Sequence, residues 1–168
     1  MEDIFVNKVA NSGIITLNLE DYYPNGDRKY IDIKDVLFMG MVLREKDFRE
    51  WVKNHPWEDY RNCFVAVNCS AEAIVPTWAY MLITSKLSGI ASEVVFGDLI
   101  ALEAVLWEKA LSSINPSNFI DERVVIKGCG KLPVSPAAYS LITQKLTPVV
   151  KSIMYGEPCS TVPIYKAK

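Results

Sequence analysis

The stretch VVIKGCGKLPVSP, residues 124–136, decides the fold predicted for this chain. An apolar, β-branched run leads into Gly128-Cys129-Gly130, and Ser135-Pro136 then has the form of a helix start. Strands without polar alternation are buried on both faces, and the βαβ units of parallel sheets bury them in that way. The stretch is therefore predicted to be a strand, a tight loop and a helix.

Two earlier stretches follow the same order. Apolar runs at 63–68 (CFVAVN) and 93–97 (EVVFG) each precede a helical pattern, as the run at 123–128 does. Asp98 and Ser135 are the predicted N-caps of the second and third helices. The sequence thus predicts an α/β fold: a three-layer βαβαβα core over 61–168, with a short parallel sheet of at least three strands flanked by helices.

The first third of the chain has a different pattern. The segments IITLNLE (14–20) and KYIDI (29–33) alternate apolar and polar residues around a Pro-Asn-Gly turn signal, which indicates a hairpin. Helical spacing follows over 46–54. A length of 168 residues, against roughly 150 per domain, predicts a single domain (1–168), with the hairpin and helix portion (1–60) packed on the core. VVKSIMYG, after Pro148, is predicted to continue the third helix to Gly156.

The charge and hydropathy of the chain exclude several classes of protein. The net charge is -2 and both signs are dispersed, so there is no basic block to neutralise nucleic-acid phosphates. The N-terminus lacks the features of a signal peptide, and the apolar run over 74–83 is shorter than the roughly 20 residues that span a bilayer. We expect a soluble, cytoplasmic protein that binds neither nucleic acid nor membrane.

The four cysteines are widely spaced and include no CxxC pair: Cys63, Cys69, Cys129 and Cys159. In a chain of this length without a secretory signal, free thiols are predicted in preference to a disulfide framework. The spacing excludes a zinc ribbon, although a metal site assembled from separate loops stays open.

The candidate site lies at the carboxyl edge of the predicted sheet, where open parallel sheets bind ligands. Cys69 and Cys129 follow two of the predicted strands, and the C-terminal tail is expected to bring Cys159 to the same edge. The candidate residues are Cys69, Cys129 and Cys159 as thiolates, and Ser70, Asp98, Lys127, Gly128 and Gly130 as ligand-binding residues.

A thiol between glycines at a helix N-terminus suits a reactive thiolate, a persulfide carrier or a metal ligand, but ordinary βα-loops share these features. Standard enzyme signatures do not fit. Pro133 stands where a dinucleotide fingerprint needs glycine or alanine, and Leu132 stands where a P-loop needs a hydroxyl. No arginine stands six residues after Cys69 or Cys129, and the only histidine, His55, lies in another region. A role other than catalysis is favoured.

Several segments resemble one known family: LEDYYP, REKDFREW, CSAEAIVPTWAYML, VVFGDL, VVIKGCGKLPV and PVVKSIMYGEPCSTVPIYK. Together they are similar to a bacterial family catalogued as domain of unknown function 2480, and the resemblance covers nearly the whole chain. Members of that family tend to be encoded near iron–sulfur cluster assembly genes. The resemblance therefore implies an accessory role in sulfur or iron–sulfur handling, with iron–sulfur assembly proteins as partners, and assigns no role to any cysteine.

The leading hypothesis is an accessory protein that uses Cys69 and Cys129, with Cys159 as a third member, as thiolate ligands or sulfur acceptors. Zinc or iron is the metal expected, because thiolates are soft ligands. Two alternatives stay open. One is a small anionic ligand-binding module that uses the glycine loop and helix N-terminus, and the other is a protein-interaction protein whose partner surface includes Tyr22, Tyr23 and Trp57. A homodimer is also left open.

Overall fold

The computed structural model describes residues 7–8, 13–157 and 159–168. In that part of the chain the helices are α1 (Glu45–Asn54), α2 (Thr77–Leu87), α3 (Leu99–Leu111) and α4 (Pro136–Leu146). The strands are β1 (Asn7–Lys8), β2 (Ile14–Asn18), β3 (Arg28–Asp32), β4 (Phe64–Asn68), β5 (Glu93–Phe96), β6 (Arg123–Lys127), β7 (Ser152–Glu157) and β8 (Ser160–Lys166).

The chain divides into two compact units. The first unit comprises Met1–Pro24 and Leu106–Lys168, and the second unit comprises Asn25–Val105. The second unit is therefore inserted into the sequence of the first. The description of 1–168 as a single domain, with 1–60 packed on 61–168, stays a prediction.

The second unit contains a three-stranded parallel sheet in the order β3-β4-β5. Its central strand is apolar from Phe64 to Val67, and Val65, Ala66 and Val67 are each at most 2% exposed. Helices α1 and α2 contribute to the same core, through residues such as Phe48 and Ile83. A strand with this composition needs cover on both faces, and the parallel arrangement with helices provides it.

The first unit contains a five-stranded sheet in the order β1-β2-β6-β7-β8. Its three central strands are parallel, and β1 and β8 pair antiparallel at the two edges. The buried core includes Leu17, Trp107, Val124, Ile126 and Ile142. Helix α4 begins as the sequence predicts, because the Ser135 side chain accepts a hydrogen bond from the Ala137 N–H at 3.3 Å.

The two units share one architecture, and part of their sequence repeats. AYMLITSKL (79–87) and AYSLITQKL (138–146) are identical at seven of nine positions. These segments lie in α2 and α4, which begin 59 residues apart, at Thr77 and Pro136. The strands that flank the helices keep the same spacing: β6 begins 59 residues after β4, and β7 begins 59 residues after β5.

Backbone details repeat with the same spacing. Asn62 and Asp121 both adopt a positive φ, 59° and 57°, before β4 and β6. The Asn62 N–H donates to the Ile90 carbonyl as the Asp121 N–H donates to the Val149 carbonyl, each at 2.9 Å. The chain is therefore an internal duplication in which one copy is inserted into the other, between a 3-10 turn (Leu19–Tyr22) and the middle of α3, where the first unit resumes at Leu106.

The predicted α/β fold, with a parallel sheet of at least three strands flanked by helices, is confirmed. All three predicted strands form, but the runs at 63–68 and 93–97 lie in one sheet and the run at 123–128 lies in the other. The third member of the parallel sheet of the second unit is β3. Sheet membership differs because each unit supplies its own first strand, β2 or β3, to its parallel sheet.

Two local predictions are corrected by the structure. The hairpin between 14–20 and 29–33 does not form, because β2 pairs parallel with β6 and β3 pairs parallel with β4. The predicted helical continuation to Gly156 is the strand β7. Its apolar run is short and includes the β-branched Ile153, which is 1% exposed and pairs with Val124 of β6.

Candidate functional site

Cys129 lies directly after β6, at the carboxyl end of the parallel strands of the first unit. Its sulfur is exposed and close to two tyrosines from neighbouring elements, one on α4 and one on β7. The Tyr155 hydroxyl is 2.8 Å from Cys129 Sγ, and the Tyr139 hydroxyl is 3.8 Å from it. The two rings pack edge to face with their centroids 5.6 Å apart. This exposed residue thus has its thiol beside two phenol hydroxyls.

Both tyrosine hydroxyls are held in the protonated form. Burial, together with the hydrogen bond and charge of Cys129, raises the pKa of Tyr139 far above its usual value. For Tyr155 the hydrogen bond and charge of Cys129 raise the pKa in the same direction. A protonated phenol can donate a hydrogen bond to sulfur, so the pair can stabilise an anionic sulfur at position 129.

The glycines on either side of Cys129 make room for polar groups. A Cβ atom at Gly128 would stand 2.6 Å from the Tyr139 hydroxyl oxygen, and one at Gly130 would meet the Glu20 carboxylate. Neither glycine is required by a positive φ. Gly128 and Gly130 therefore allow the tyrosine and the carboxylate to approach the loop.

Glu20 occupies the backbone donors of the glycine loop (128–135). Its carboxylate accepts hydrogen bonds from the N–H groups of Gly130, Lys131 and Leu132, the last two at 3.1 and 3.3 Å. Partial burial raises the pKa of Glu20, but these hydrogen bonds and the nearby Lys127 charge outweigh it, and the net pKa lies below the usual value. An anionic ligand on these amides would have to displace Glu20.

Lys127 faces a carboxylate and not an empty pocket. Its Nζ lies 3.4 Å from Glu157 Oε2, and both side chains are partly exposed. Pairs of this kind contribute little to stability. The charge of Lys127 nevertheless acts on Glu20, so this residue belongs to the electrostatic surroundings of the loop.

The second unit carries different groups after its central strand. Asp32 accepts hydrogen bonds from the Ser70 N–H at 3.0 Å and from the Ser70 hydroxyl at 2.6 Å. Some burial raises the pKa of Asp32, but the hydrogen bonds from Ser70 and Lys34 lower it more. Cys69 is half-buried, and its thiol lies 3.7 Å from the Ala71 carbonyl oxygen. Asp98 is the N-cap of α3, as predicted, because its Oδ1 accepts from the Ala101 N–H at 2.9 Å.

The 59-residue spacing allows the two sites to be compared position by position. Cys129 corresponds to Ser70, Tyr139 to Tyr80 and Tyr155 to Phe96. The second unit therefore lacks both the thiol and one of the two phenols at the equivalent place. Only the first unit combines a cysteine with two hydroxyl donors there.

Four of the predicted site residues lie together in the structure, and the others lie elsewhere in the chain. Cys129, Gly128, Gly130 and Lys127 share the site of the first unit. Ser70, Cys69 and Asp98 belong to the second unit, since β4 and β6 lie in different sheets. Cys159 is exposed in the turn between β7 and β8. A site shared by the three cysteines stays a prediction, and in the described residues no group of three or more His, Cys, Asp or Glu side chains is placed to hold a metal.

The aromatic residues proposed as a partner surface are half-buried. Tyr22 and Tyr23 pack against the core of the first unit, and Trp57 packs against that of the second. The Trp57 indole N–H also donates to the Val52 carbonyl at 2.8 Å. Large exposed apolar side chains lie elsewhere and include Met81 and Phe96.

Sequence reasoning missed Glu20, Tyr139 and Tyr155. Glu20 lies 110 residues before Gly130 in the chain, so no local pattern joins the two. The tyrosines lie in apolar segments that look like core. The repeated AYxLITxKL pattern was the available signal, because it marks Tyr80 and Tyr139 as equivalent positions beside the two strand ends.

The fold and site define a class: a duplicated α/β protein with an exposed thiol at the carboxyl end of a parallel strand. A family model matches residues 3–167, and the chain belongs to that family, which is described as protein of unknown function (DUF2480). Searches of the curated proteins and of the solved structures found no significant match. Among the described residues, none of the helices has the length and apolar character needed to cross a membrane.

Proposed function

We propose that this chain is a cytoplasmic accessory protein, not an enzyme, that accepts sulfur on Cys129 as part of sulfur or iron–sulfur handling. One observation carries the proposal: the exposed Cys129 sulfur lies 2.8 Å from the Tyr155 hydroxyl and 3.8 Å from that of Tyr139. The four free cysteines fit a reducing compartment. The link to iron–sulfur assembly proteins rests on the family resemblance alone.

The chemistry is a thiol–persulfide exchange. The Cys129 thiolate attacks the terminal sulfur of a donor persulfide, the donor S–S bond breaks, and the donor leaves as a thiolate that takes up the proton released by Cys129. Cys129 then carries one additional sulfur, and no external oxidant or reductant is consumed. The Tyr139 and Tyr155 hydroxyls donate hydrogen bonds to the anionic sulfur before and after transfer.

The equivalent positions of the second unit, which differ from those around Cys129, support the assignment of sulfur acceptance to Cys129. It keeps the strand, the loop and the helix, but Ser70 replaces the cysteine and Phe96 replaces one tyrosine. Serine cannot hold a persulfide, and phenylalanine has no donor. The cysteine of the second unit at the neighbouring position, Cys69, is half-buried with its thiol 3.7 Å from the Ala71 carbonyl oxygen. An exposed cysteine with its sulfur close to two phenol hydroxyls is therefore a feature of the first copy, beyond what the shared fold requires.

A metal-binding version of the proposal uses the same cysteine. Zinc or iron held by Cys129, Cys69 and Cys159 would require thiolates from both units, or donors from a second molecule. Elemental analysis of protein purified without oxygen distinguishes the versions. If the native chain retains zinc or iron and Cys129→Ser loses it, metal binding is the function of Cys129 and the proposal of sulfur acceptance is wrong.

The direct test is sulfur transfer from glutathione persulfide, followed by peptide mass analysis. We expect the peptide containing Cys129 to gain one sulfur atom, the gain to vanish in Cys129→Ser, and the gain to persist in Cys159→Ser, the matched exposed-cysteine control. Sulfur carried equally by Cys129 and Cys159, or no sulfur on Cys129, would contradict the proposal.

A further inference from the structure

Strand β5 is an edge strand in the second unit, whereas its counterpart in the first unit is covered. β7 pairs with the antiparallel β8 on the side away from β6. In the part of the chain that the structure describes, β5 pairs only with β4. After β5 the chain turns into α3 instead of returning as a strand. Among the described residues, β5 therefore has no counterpart of β8 beside it.

A groove runs along α2 beside this open edge. Its volume is about 880 Å³, and its lining carries no formal charge: Ala73, Val75, Thr77, Tyr80, Met81, Thr84, Ser85, Ser88 and Phe96. Met81 is 66% exposed and Phe96 is 68% exposed. Apolar side chains of this size, exposed beside an unpaired strand, are characteristic of an interaction surface.

The first unit shows what borders the equivalent groove. Tyr139, Thr143 and Tyr155 correspond to Tyr80, Thr84 and Phe96, and they line a cavity together with Ile164 of β8. The added antiparallel strand of the first unit therefore contributes an apolar side chain to the wall of this smaller cavity of about 180 Å³. In the second unit Tyr80, Thr84 and Phe96 line the groove, where an apolar side chain of an added strand could pack in the same way.

The backbone of β5 is oriented for an additional strand. The Gly97 N–H donates to the Val67 carbonyl of β4 at 3.0 Å. Because N–H groups alternate in direction along a strand, those of Val94 and Phe96 point away from β4. They correspond to Ile153 and Tyr155, which pair with β8 in the first unit.

The charges near β5 favour one kind of occupant. The strand starts at Glu93, and Asp98 follows its end, so both ends carry acidic side chains. Two copies of β5 paired antiparallel would bring acidic ends toward each other, which is unfavourable. In the first unit Lys166 of β8 lies opposite Ser152, the counterpart of Glu93. A second copy of β5 is therefore disfavoured, and β8 provides the pattern for the occupant, a segment with a lysine at its C-terminal end.

We propose that the second unit binds an extended partner segment by strand addition to β5. The segment runs antiparallel to β5, places an apolar side chain over Tyr80, Thr84 and Phe96, and has a basic residue at its C-terminal end. Backbone pairing provides affinity in this mode, and the apolar and basic side chains provide selectivity. The surface belongs to the second unit and is independent of the thiol chemistry at Cys129.

The test uses the full-length protein and a fluorescent synthetic peptide, STVPIYKAK, which copies residues 160–168. We expect saturable binding by anisotropy, weakened at least tenfold by Phe96→Asp in the protein and by replacement of the peptide isoleucine with aspartate. Ile120→Asp, at a 56% exposed apolar residue of the first unit, should leave binding unchanged. Replacing both peptide lysines with glutamate should also weaken binding, and added salt should reduce the difference between the two peptides.

Three results would overturn this proposal. The first is no saturable binding of the peptide, and the second is binding that Phe96→Asp leaves intact, since the peptide would then be replacing β8 on β7. The third is a dimer in sedimentation that Phe96→Asp converts to monomer, because the occupant would then be a second copy of the chain. Circular dichroism of Phe96→Asp, matched to the native spectrum, excludes misfolding as the cause of any loss.

Discussion

At the scale of single residues, positions 128 and 130 are glycine because polar groups of other residues approach the backbone there too closely for a Cβ atom. Gly128 leaves room for the Tyr139 hydroxyl, and Gly130 leaves room for the Glu20 carboxylate. The sequence marked the Gly-Cys-Gly segment as a site because it follows an apolar strand. It could not identify the groups that approach the loop, because these come from the 3-10 turn at Leu19–Tyr22 and from α4 and β7.

Gly128→Ala should impair sulfur acceptance without unfolding the protein. The new methyl group would stand 2.6 Å from the Tyr139 hydroxyl oxygen and displace that side chain from the sulfur of Cys129. We expect slower loading of Cys129 from glutathione persulfide, with an unchanged thermal unfolding midpoint. Loading at the native rate in this variant would show that Tyr139 has no part in the site.

Glu20→Gln should loosen the glycine loop. The carboxylate accepts from three backbone N–H groups, and hydrogen bonds to a charged acceptor are stronger than those to a neutral amide. We expect faster hydrogen exchange at Gly130, Lys131 and Leu132 at neutral pH. Amide exchange in α2, which belongs to the second unit, is the internal control.

The same interaction predicts a pH dependence in the native chain. The pKa of Glu20 is lowered on folding, so its contribution is fully present at neutral pH and is lost as the pH falls through that lowered value. Protection of the loop amides, corrected for intrinsic exchange, should therefore decline at acid pH in the native chain and stay flat in Glu20→Gln. If the protection of the loop amides has the same pH dependence in the native chain and in Glu20→Gln, the Glu20 carboxylate does not stabilise the loop.

At the scale of elements, local pattern located most helices and strands but not their partners. The apolar runs 63–68, 93–97 and 123–128 all form strands, and Ser135 and Asp98 cap helices as predicted. Pairing depends on contacts between distant segments. The parallel partners β2 and β6 are separated by the whole inserted unit, and turn chemistry near Asn25-Gly26 pointed instead to a local hairpin.

The duplication predicts matched energetics for α2 and α4. Ile83 and Ile142 occupy equivalent positions, and both are fully buried. Replacing either with alanine leaves a cavity in a packed core and should lower the free energy of unfolding by about 2–5 kcal/mol. Denaturant unfolding of Ile83→Ala and Ile142→Ala measures both effects, with Met81→Ala at an exposed position of α2 as the control. A loss below about 1 kcal/mol for either isoleucine would contradict the assigned packing.

At the scale of the whole molecule, the chain is two copies of one α/β unit that have diverged. The copy formed by the two ends of the sequence has a covered sheet edge and a thiol with two phenols. The inserted copy has an open edge and a serine in place of the thiol. Composition indicated neither the repeat nor the insertion, because both copies have the same kind of apolar strand and helix.

The stability of the molecule should fall between neutral and mildly acidic pH because of His55. Burial lowers the pKa of His55, and the charge of Asp59 opposes this only in part. The unfolded chain therefore takes up a proton before the folded one, and stability declines as the pH falls below the ordinary value of about 6.5. Urea unfolding at pH 7.5 and 5.5 should show this decline, and His55→Gln should reduce it. An unchanged decline in the variant would assign the effect to other groups.

The tyrosine hydroxyls of the first unit are expected to make Cys129 more reactive than the other exposed cysteine. Site-resolved alkylation by iodoacetamide tests it, because Cys129 and Cys159 are both exposed and react in the same sample. Cys159 lies in the turn between β7 and β8, whereas the hydroxyls of Tyr139 and Tyr155 are close to Cys129. We expect Cys129 to react faster than Cys159, and Tyr155→Phe to slow Cys129 roughly three- to tenfold without affecting Cys159. Equal rates at the two cysteines, or a rate at Cys129 that Tyr155→Phe does not change, would contradict this expectation.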